Sequence, residues 1–416
     1  MSAAVNPQRT IAELQELRAL TGDENGAQRV AFTPVWAKAR AWLRAKLAEL
    51  PVEVHTDAAG NLWATLRGES ETALLMGGHL DSVPNGGWLD GCLNVLAGVE
   101  ILRRIAAQYD GRPPVTVRLV DWADEEGARF GKSLFGSSAC SGNLDMEEAR
   151  GLVDKDGIRL PDALREHGID FENVLACGAE LTHAAAYLEL HIEQGPVLLD
   201  LDLPLGAVLG TFGVERHAIT FHGQAAHSGS TPMNRRRDAF LAAGKMSAEI
   251  YGIAERSGAG VCTIGSCITK PGIVTSVVEE CRLTLDQRHL DPAALAQMFQ
   301  EAQDASERFA KEGNVRVSWE RIWHIAPRPF HDGLIALCDA AIRETCGTSH
   351  RLPSGPLHDA AEVARAGVPT VMMFTQSLHG ISHNKIEDTR EEHLAMAVTA
   401  FDRLADKALA WIASRR

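Results

Sequence analysis

The chain has few aromatic residues and few basic ones. Aromatics make up 6% of its 416 residues, and the 41 Lys and Arg residues are outnumbered by 55 Asp and Glu residues. The resulting net charge of −14 repels phosphate backbones, so we expect no nucleic-acid partner. The short basic run NRRRD at 234–238 is interpreted as a solvated or ion-paired helix start.

Paired cysteine motifs and long apolar runs are also missing. The eight cysteines are scattered without C-x-x-C spacing, which argues against a structural zinc site and a redox dithiol. They are interpreted as thiols in a reducing compartment. No stretch approaches the eighteen apolar residues of a membrane span, and the first twenty residues lack the apolar core of a signal peptide. We therefore expect a cytoplasmic protein with no membrane partner.

Alternating strands and helices follow a helical start. The first fifty residues repeat apolar side chains at helical spacing. Apolar strands are then predicted in TALLMGG (72–78), PVTVRLVDWA (114–123) and AYLELHI (186–192), with the amphipathic helix 91–109 between the first two. This alternation predicts an α/β sheet with helices on its faces.

The pattern changes near residue 213. From there the predicted elements run β-α-β-β-α-β, which is the ferredoxin-like order. We expect a compact inserted domain at 213–328, and a discontinuous domain formed by 1–212 and 329–416. The latter ends with helices near 333–345, 359–366 and 390–413.

Metal-ligating residue types are concentrated in GGHLDSVPNGGWLDG, residues 77–91. It contains His79, Asp81 and Asp90, whose imidazole and carboxylate groups suit zinc, manganese, cobalt or nickel. Asp81 is placed to accept the second ring N–H of His79 rather than to bind beside it. Taken alone, the stretch is equally consistent with a tight structural loop.

Further candidates follow other predicted strands. Glu125 and Glu126 come directly after a strand, His191 lies within one, and His383 lies in the loop GISHNKIED, 380–388. Ligands of open α/β sheets bind at the carboxyl ends of strands. Each candidate has an alternative: the acids suit an exposed helix start, and a lone histidine suits a core position. Together they permit two metal sites that share a carboxylate.

Several ordered motifs resemble one known family. They are GGHLDSVPNGGWLDG, DEEGARFGKSLFGS, LELHIEQGPVL, GQAAHSGSTPMNRRRDA, LDQRH and HGISHNKIED. The set resembles the amidase/hydantoinase–carbamoylase branch of the di-metal amidohydrolases, which are M20-like. This resemblance implies an aminopeptidase-like catalytic domain with a mixed sheet, and an inserted ferredoxin-like α+β domain that serves as lid and dimerisation surface.

The resemblance also implies two divalent metal ions per subunit. His79 and His191 would bind one ion, and Glu126 and His383 would bind the other. Asp90 would bridge the pair. Zinc, manganese, cobalt and nickel are the candidate ions.

The implied catalytic groups surround these ligands. Glu125 would be the general base, Asp81 would support His79, and His227 would stabilise the oxyanion from the partner subunit of a homodimer. Arg288 would clamp a substrate carboxylate, although an ion pair with Asp286 is the alternative. The implied substrate-binding residues are Gln194, His227, Thr275, Arg288 and His358.

Positions expected around the pocket depart from the family pattern, whereas the implied metal ligands do not. The departing positions are Thr275, Val278, Pro356, Leu357, Thr375 and Gln376. We expect hydrolysis of a linear non-peptide C–N bond in a small substrate with a carboxylate. The leading candidate is an N-carbamoyl-L-α-amino acid, giving the amino acid, ammonia and carbon dioxide. The alternatives are a β-ureidopropionate or allantoate-type amidohydrolase and an N-acyl amino acid deacylase.

Overall fold

Two compact units make up the chain. The structure, a computed structural model, describes residues 4–415. The larger unit is formed by the chain up to Leu209 and from Phe330 onward, and the smaller unit is Gly210–Pro329. Each unit has its own apolar core, which is the property that defines a domain.

Several helices begin at clear capping residues. Asn6 and Thr33 accept hydrogen bonds from backbone N–H groups of the first turn, and a proline suited to that turn follows each of them. The helices are α1 (Pro7–Thr21), α2 (Pro34–Leu47), α3 (Cys92–Gln108), α4 (Phe135–Cys140), α5 (Met146–Gly151), α6 (Leu160–Glu166), α7 (Val197–Asp200), α8 (Ala239–Ser257), α9 (Pro292–Glu312), α10 (Asp332–Cys346), α11 (Asp359–Arg365) and α12 (Glu391–Ala413).

A mixed sheet forms the centre of the larger unit. The strands of the chain are β1 (Gly22–Asp23), β2 (Gly26–Ala27), β3 (Glu53–Thr56), β4 (Leu62–Leu66), β5 (Ala73–His79), β6 (Thr116–Trp122), β7 (Ala184–Ile192), β8 (Leu205–Thr211), β9 (Gly213–His222), β10 (Ala226–His227), β11 (Val261–Lys270), β12 (Ser276–Val277), β13 (Glu280–His289), β14 (Arg316–Ile325), β15 (Arg328–Pro329), β16 (His350–Ser354) and β17 (Thr370–Thr375). The sheet order is β8-β17-β7-β5-β6-β4-β3, with β16 beside β8. Strands β17, β7, β5 and β6 are parallel, and the others pair antiparallel along this path.

The parallel strands read as continuous apolar runs because both of their faces are covered. Every residue of β5 is buried, as are the residues of β17. Helix α3 packs against β5, β6 and β7, and α12 packs against β7 and β17. The carboxyl ends of the parallel strands therefore meet at one edge of the sheet, on a rigid apolar support.

The smaller unit has a four-stranded antiparallel sheet of order β11-β13-β9-β14. Helices α8 and α9 pack against it and against each other. Its main elements run β9-α8-β11-β13-α9-β14, which is the ferredoxin-like order. Alternate residues of β13 are buried, as expected of a sheet with one covered face.

The predicted fold class is confirmed. The structure has the mixed α/β sheet and the inserted ferredoxin-like α+β unit that the sequence predicts. Predicted helix ends agree to within a few residues; the last helix is Glu391–Ala413 rather than 390–413. Among residues 4–415, none of the helices combines the length and apolar character needed to cross a bilayer.

A buried ion pair anchors β6 just before the acidic segment. Arg40 Nε donates to Asp121 Oδ2 over 2.7 Å, and the Arg40 guanidinium stacks 4.0 Å from the Trp36 ring centroid. Asp121 Oδ1 also accepts the Leu80 N–H over 2.8 Å. One carboxylate thus ties α2 to the ends of β5 and β6.

We expect Arg40→Met to destabilise the larger unit strongly. It leaves the buried Asp121 carboxylate without its cation, which typically costs about 3–5 kcal/mol. Urea denaturation followed by circular dichroism measures the loss. Arg67→Met is the matched control, because Arg67 and Glu53 form an exposed pair that is typically worth about 0–1 kcal/mol. Equal losses in the two variants would contradict the assigned role of the buried pair.

Candidate metal centre

The predicted metal ligands lie at the carboxyl ends of four adjacent parallel strands, β17-β7-β5-β6. His79 is the last residue of β5, and His191 is next to last in β7. Glu126 follows β6, and His383 lies in the loop after β17. Asp90 is brought back to this edge by the Gly-rich loop after β5. Sheet topology therefore gathers side chains that are widely separated in sequence.

These side chains form two groups that share Asp90. One group is His79, Asp90 and His191, and the other is Asp90, Glu126 and His383. In each group the candidate ligand atoms lie within 4.8 Å of one another.

The two oxygens of Asp90 face different groups. Oδ1 lies 3.2 Å from His191 Nε2 and 3.9 Å from His79 Nε2. Oδ2 lies 3.4 Å from His383 Nε2, and that nitrogen is 3.2 Å from Glu126 Oε2. A carboxylate in this position can place one oxygen on each of two cations.

Both buried histidines present the tautomer that a metal requires. His79 Nδ1 lies 3.1 Å from the backbone carbonyl of Asp81, and His191 Nδ1 lies 2.9 Å from that of Ile192. A carbonyl can only accept, so each Nδ1 carries a proton and Nε2 is the ring nitrogen left to bind a cation. Both Nε2 atoms are buried without a hydrogen-bond partner among the described residues. Two buried Nε2 atoms directed at one carboxylate fit a divalent cation.

Burial and charge set the protonation of the two histidines in opposite directions. Burial lowers the pKa of His79 to about 4, so its ring is neutral. Burial also acts to lower the pKa of His191, but the Asp90 carboxylate outweighs it and raises that pKa to about 9. In the absence of a cation, a proton on His191 compensates the charge of Asp90. A metal ion would take over this compensation.

The neighbouring acids are held in an unfavourable environment. Burial, together with nearby carboxylates, raises the pKa of Glu125 well above its usual range, and burial next to Asp90 does the same for Glu126. Glu125 Oε2 lies 3.7 Å from His79 Nε2. Accumulated negative charge at a buried site favours cation binding, so the donor set fits divalent metal ions.

Asp81 acts differently from the expectation that its carboxylate accepts the His79 ring N–H. The backbone carbonyl of Asp81 accepts that proton, and the nearer carboxylate oxygen is 3.6 Å from Nδ1. The carboxylate instead accepts the N–H groups of Glu125 (3.3 Å) and Glu126 (3.1 Å). Asp81 therefore orients the acidic segment with its side chain and His79 with its backbone.

Glycine is required where the loop meets His79. Gly91 has a φ of +66°, which favours glycine. A Cβ at Gly91 would lie 2.5 Å from the His79 Nδ1 atom. The ring can pack against this turn only because no side chain is present there.

Two predicted substrate-binding residues contact the predicted metal ligands. Gln194 Nε2 donates to Asp90 Oδ2 over 2.9 Å and to Ser382 Oγ over 3.1 Å. His358 is buried, with its ring centroid 4.4 Å from that of His191 and its Nε2 2.9 Å from Ser354 Oγ. Burial lowers the pKa of His358 well below its usual range, so this ring is neutral.

The other predicted substrate and oxyanion residues lie in the smaller unit. His227 is exposed on β10, and its Nδ1 accepts the N–H groups of Gly229 (3.1 Å) and Ser230 (3.2 Å). Arg288 Nε donates to Asp286 Oδ1 over 2.8 Å, which is the ion pair considered as the alternative to carboxylate binding. Thr275 is exposed.

Three of the positions that depart from the family pattern have structural partners. Thr375 Oγ1 donates to the carbonyl of Pro204, and Gln376 Nε2 donates to the carbonyls of Leu198 and Leu203. Val278 packs against the apolar core of the smaller unit. Thr375 and Gln376 thus hold the chain around α7.

Sequence reasoning assigned no role to Ser382 and Glu387. Ser382 Oγ lies 3.0 Å from Asp90 Oδ2 and 2.8 Å from Glu387 Oε2. Both residues belong to the motif HGISHNKIED. The sequence signal for Glu387 is the presence of an acid four residues after His383. Their contacts join residues almost three hundred positions apart in the chain.

The chain is similar to known proteins along most of its length. The profile of peptidase family M20/M25/M40 matches residues 75–407. The chain is 35% identical to an N-carbamoyl-L-amino acid amidohydrolase of Geobacillus stearothermophilus, with 89% of this chain and 90% of that protein covered. It is 31% identical to an allantoate amidohydrolase of Escherichia coli (strain K12), with 90% of each covered.

A solved structure shares the fold. It is an amidase of the hydantoinase/carbamoylase family from Burkholderia multivorans, with a TM-score of 0.86 and 29% identity, covering 97% of this chain and 98% of that one. The match to the family profile, residues 75–407, spans the positions of all predicted metal ligands. The chain therefore belongs to peptidase family M20/M25/M40, and its resemblance to the hydantoinase/carbamoylase amidases of that family is confirmed.

Proposed function

We propose that this protein is a metal-dependent amidohydrolase that cleaves a linear, non-peptide C–N bond in a small substrate carrying a carboxylate. The preferred substrate class is an N-carbamoyl-L-α-amino acid. The observation that carries the proposal is the pair of ligand groups joined by Asp90, with the Glu125 carboxylate beside them. The names of the amidohydrolase relatives support the reaction class.

Two divalent ions per subunit are proposed. His79, Asp90 and His191 would hold one, and Asp90, Glu126 and His383 would hold the other. Imidazole and carboxylate donors suit zinc, manganese, cobalt and nickel. When bound, such ions activate water and polarise a carbonyl group.

Glu125 is the proposed general base. Its carboxylate lies beside the ligand groups, and its backbone is held by Asp81. It takes a proton from the attacking water as the water oxygen bonds to the carbamoyl carbon. It then delivers that proton to the amino nitrogen as the C–N bond breaks. The released carbamic acid decomposes to ammonia and carbon dioxide.

His227 is the proposed oxyanion donor. Because its Nδ1 accepts two backbone N–H groups, its proton lies on Nε2, which is the tautomer that can donate to a developing negative charge. We propose that it acts in the other subunit of a homodimer formed through the smaller unit, which serves as lid and dimerisation domain. The reduced cysteines fit a cytoplasmic enzyme.

Substrate recognition is assigned to Arg288, Gln194, Thr275 and His358. Asp286 holds the Arg288 guanidinium from one side, and a planar guanidinium suits a carboxylate. Thr275 and Val278, which depart from the family pattern, are the positions that should discriminate between N-carbamoyl-L-α-amino acids and the alternatives, which are β-ureidopropionate, allantoate and N-acyl amino acids.

A substrate panel tests the proposed function. We expect turnover of N-carbamoyl-L-α-amino acids, with slower turnover of β-ureidopropionate, allantoate and N-acetyl amino acids. The metal-free enzyme is supplied separately with zinc, manganese, cobalt or nickel, and released ammonia and amino acid are measured. Turnover of the N-acyl compounds alone would establish a deacylase, and no turnover of any carbamoyl compound would exclude the leading assignment.

Glu125→Gln should separate chemistry from metal binding. Loss of the base should lower kcat by about 10²- to 10⁴-fold. Metal content, measured by mass spectrometry of the bound ions, should stay at the wild-type value. His383→Ala, which removes a proposed ligand, should lower the metal content instead. Unchanged turnover in Glu125→Gln would show that another group is the base.

Mixed dimers test the position at which His227 acts. His227→Ala and Glu125→Gln should each be nearly inactive as homodimers. Refolding or co-expressing them together should restore activity, because one site then combines an intact Glu125 with an intact His227 from the other subunit. If mass spectrometry shows that mixed dimers form but activity does not recover, His227 acts in the site of its own subunit.

A further inference from the structure

Glu387 occupies an unusual position for a carboxylate. The residue is 1% exposed, and its hydrogen-bond donors among the described residues are backbone N–H groups and a serine hydroxyl. Burial raises its pKa to about 7, with a further contribution from Asp90. A buried carboxylate held only by neutral donors is unfavourable for stability, so its place in the structure calls for another explanation.

Both oxygens of Glu387 are directed at the segment that carries Asp90. Oε1 accepts the backbone N–H groups of Leu89 (3.2 Å) and Asp90 (3.1 Å). Oε2 accepts from Ser382 Oγ over 2.8 Å, and Ser382 Oγ also lies 3.0 Å from Asp90 Oδ2. Glu387 thus holds the backbone of Asp90 directly, and the Ser382 hydroxyl, whose one proton can go to either carboxylate, lies between the Glu387 and Asp90 side chains.

The Gly-rich loop is shaped around this contact. A Cβ added at Gly87 would overlap the Glu387 carboxylate. Gly87 has no positive φ, so its backbone conformation does not itself require glycine. The absence of a side chain there serves to admit Glu387 against the loop.

We infer that Glu387 is a positioning residue that fixes the orientation of the Asp90 carboxylate, so that its two oxygens face the two ligand groups. This inference rests on the proposed two-metal function. Rotation of Asp90 would move Oδ1 and Oδ2 together, so loss of Glu387 should weaken both ions rather than one. Residues that orient metal ligands typically contribute about 10- to 100-fold to metal affinity.

The conservative variant distinguishes positioning from charge. In Glu387→Gln, Oε1 can still accept the two backbone N–H groups, and Nε2 can donate to Ser382 Oγ, which then donates to Asp90. We expect its affinity for both ions to remain close to wild type. Glu387→Ala loses all three contacts, and its affinity for both ions should fall about 10- to 100-fold.

Affinity is measured on the full-length metal-free protein by competition with a chromophoric chelator, using Zn²⁺ and Co²⁺. The visible absorption of bound Co²⁺ reports coordination, and should change in Glu387→Ala but not in Glu387→Gln.

The matched control is Glu362→Ala, which removes a buried carboxylate that accepts from Ser141 and Asn143. Its metal affinity should not change. Gly87→Ala is a second variant that displaces the Glu387 carboxylate without removing it, and it should reproduce the loss.

The outcomes separate the alternatives. If Glu387→Ala lowers the urea midpoint but binds both ions as tightly as wild type, Glu387 only staples two loops and the inference is overturned. Equal losses in Glu387→Gln and Glu387→Ala would also overturn it, because charge rather than geometry would then matter. A wild-type protein that takes up fewer than two ions would overturn the proposed function, and the inference with it.

Discussion

The sharing of one carboxylate by two ligand groups is the constraint on which the larger unit depends. Asp90 must present Oδ1 to His79 and His191 and Oδ2 to Glu126 and His383. Four side chains reach it from the ends of four adjacent parallel strands, and Asp90 itself returns through a glycine turn. A parallel sheet is suited to this task because its strand ends coincide, whereas antiparallel neighbours would send their ends to opposite edges.

The negative charge gathered around Asp90 explains why directed hydrogen bonds surround it. Several acids that burial disfavours are gathered in one place, and only a cation compensates them fully. The protein limits the remaining repulsion with directed N–H groups: Asp81 accepts from Glu125 and Glu126, and Glu387 accepts from Leu89 and Asp90. These contacts also fix the segments that carry the ligands. Charge compensation and orientation of the ligands are therefore achieved by the same hydrogen bonds.

Much of this could be predicted from the sequence, but only at the level of elements and residue types. The apolar runs of β5, β6 and β7 predict buried strands, and the polar residues after them predict a site at one edge. The contacts that orient the ligands could not be predicted in this way. Glu387 binds the N–H of Asp90 across 297 residues, and Gln194 binds its carboxylate across 104. Such hydrogen bonds depend on loop geometry, which leaves no periodic pattern in the sequence.

Gln376 illustrates the limit most clearly. A departure from a family motif next to a predicted site suggests altered specificity, yet its amide donates to the carbonyls of Leu198 and Leu203. Arg288 is similar, because Asp286 binds its guanidinium within the smaller unit. The metal-ligand residues depend on strand ends within a single apolar core, whereas the proposed specificity residues are divided between two separately packed units. Substitutions in the smaller unit can therefore occur without disturbing the packing that supports the ligand groups.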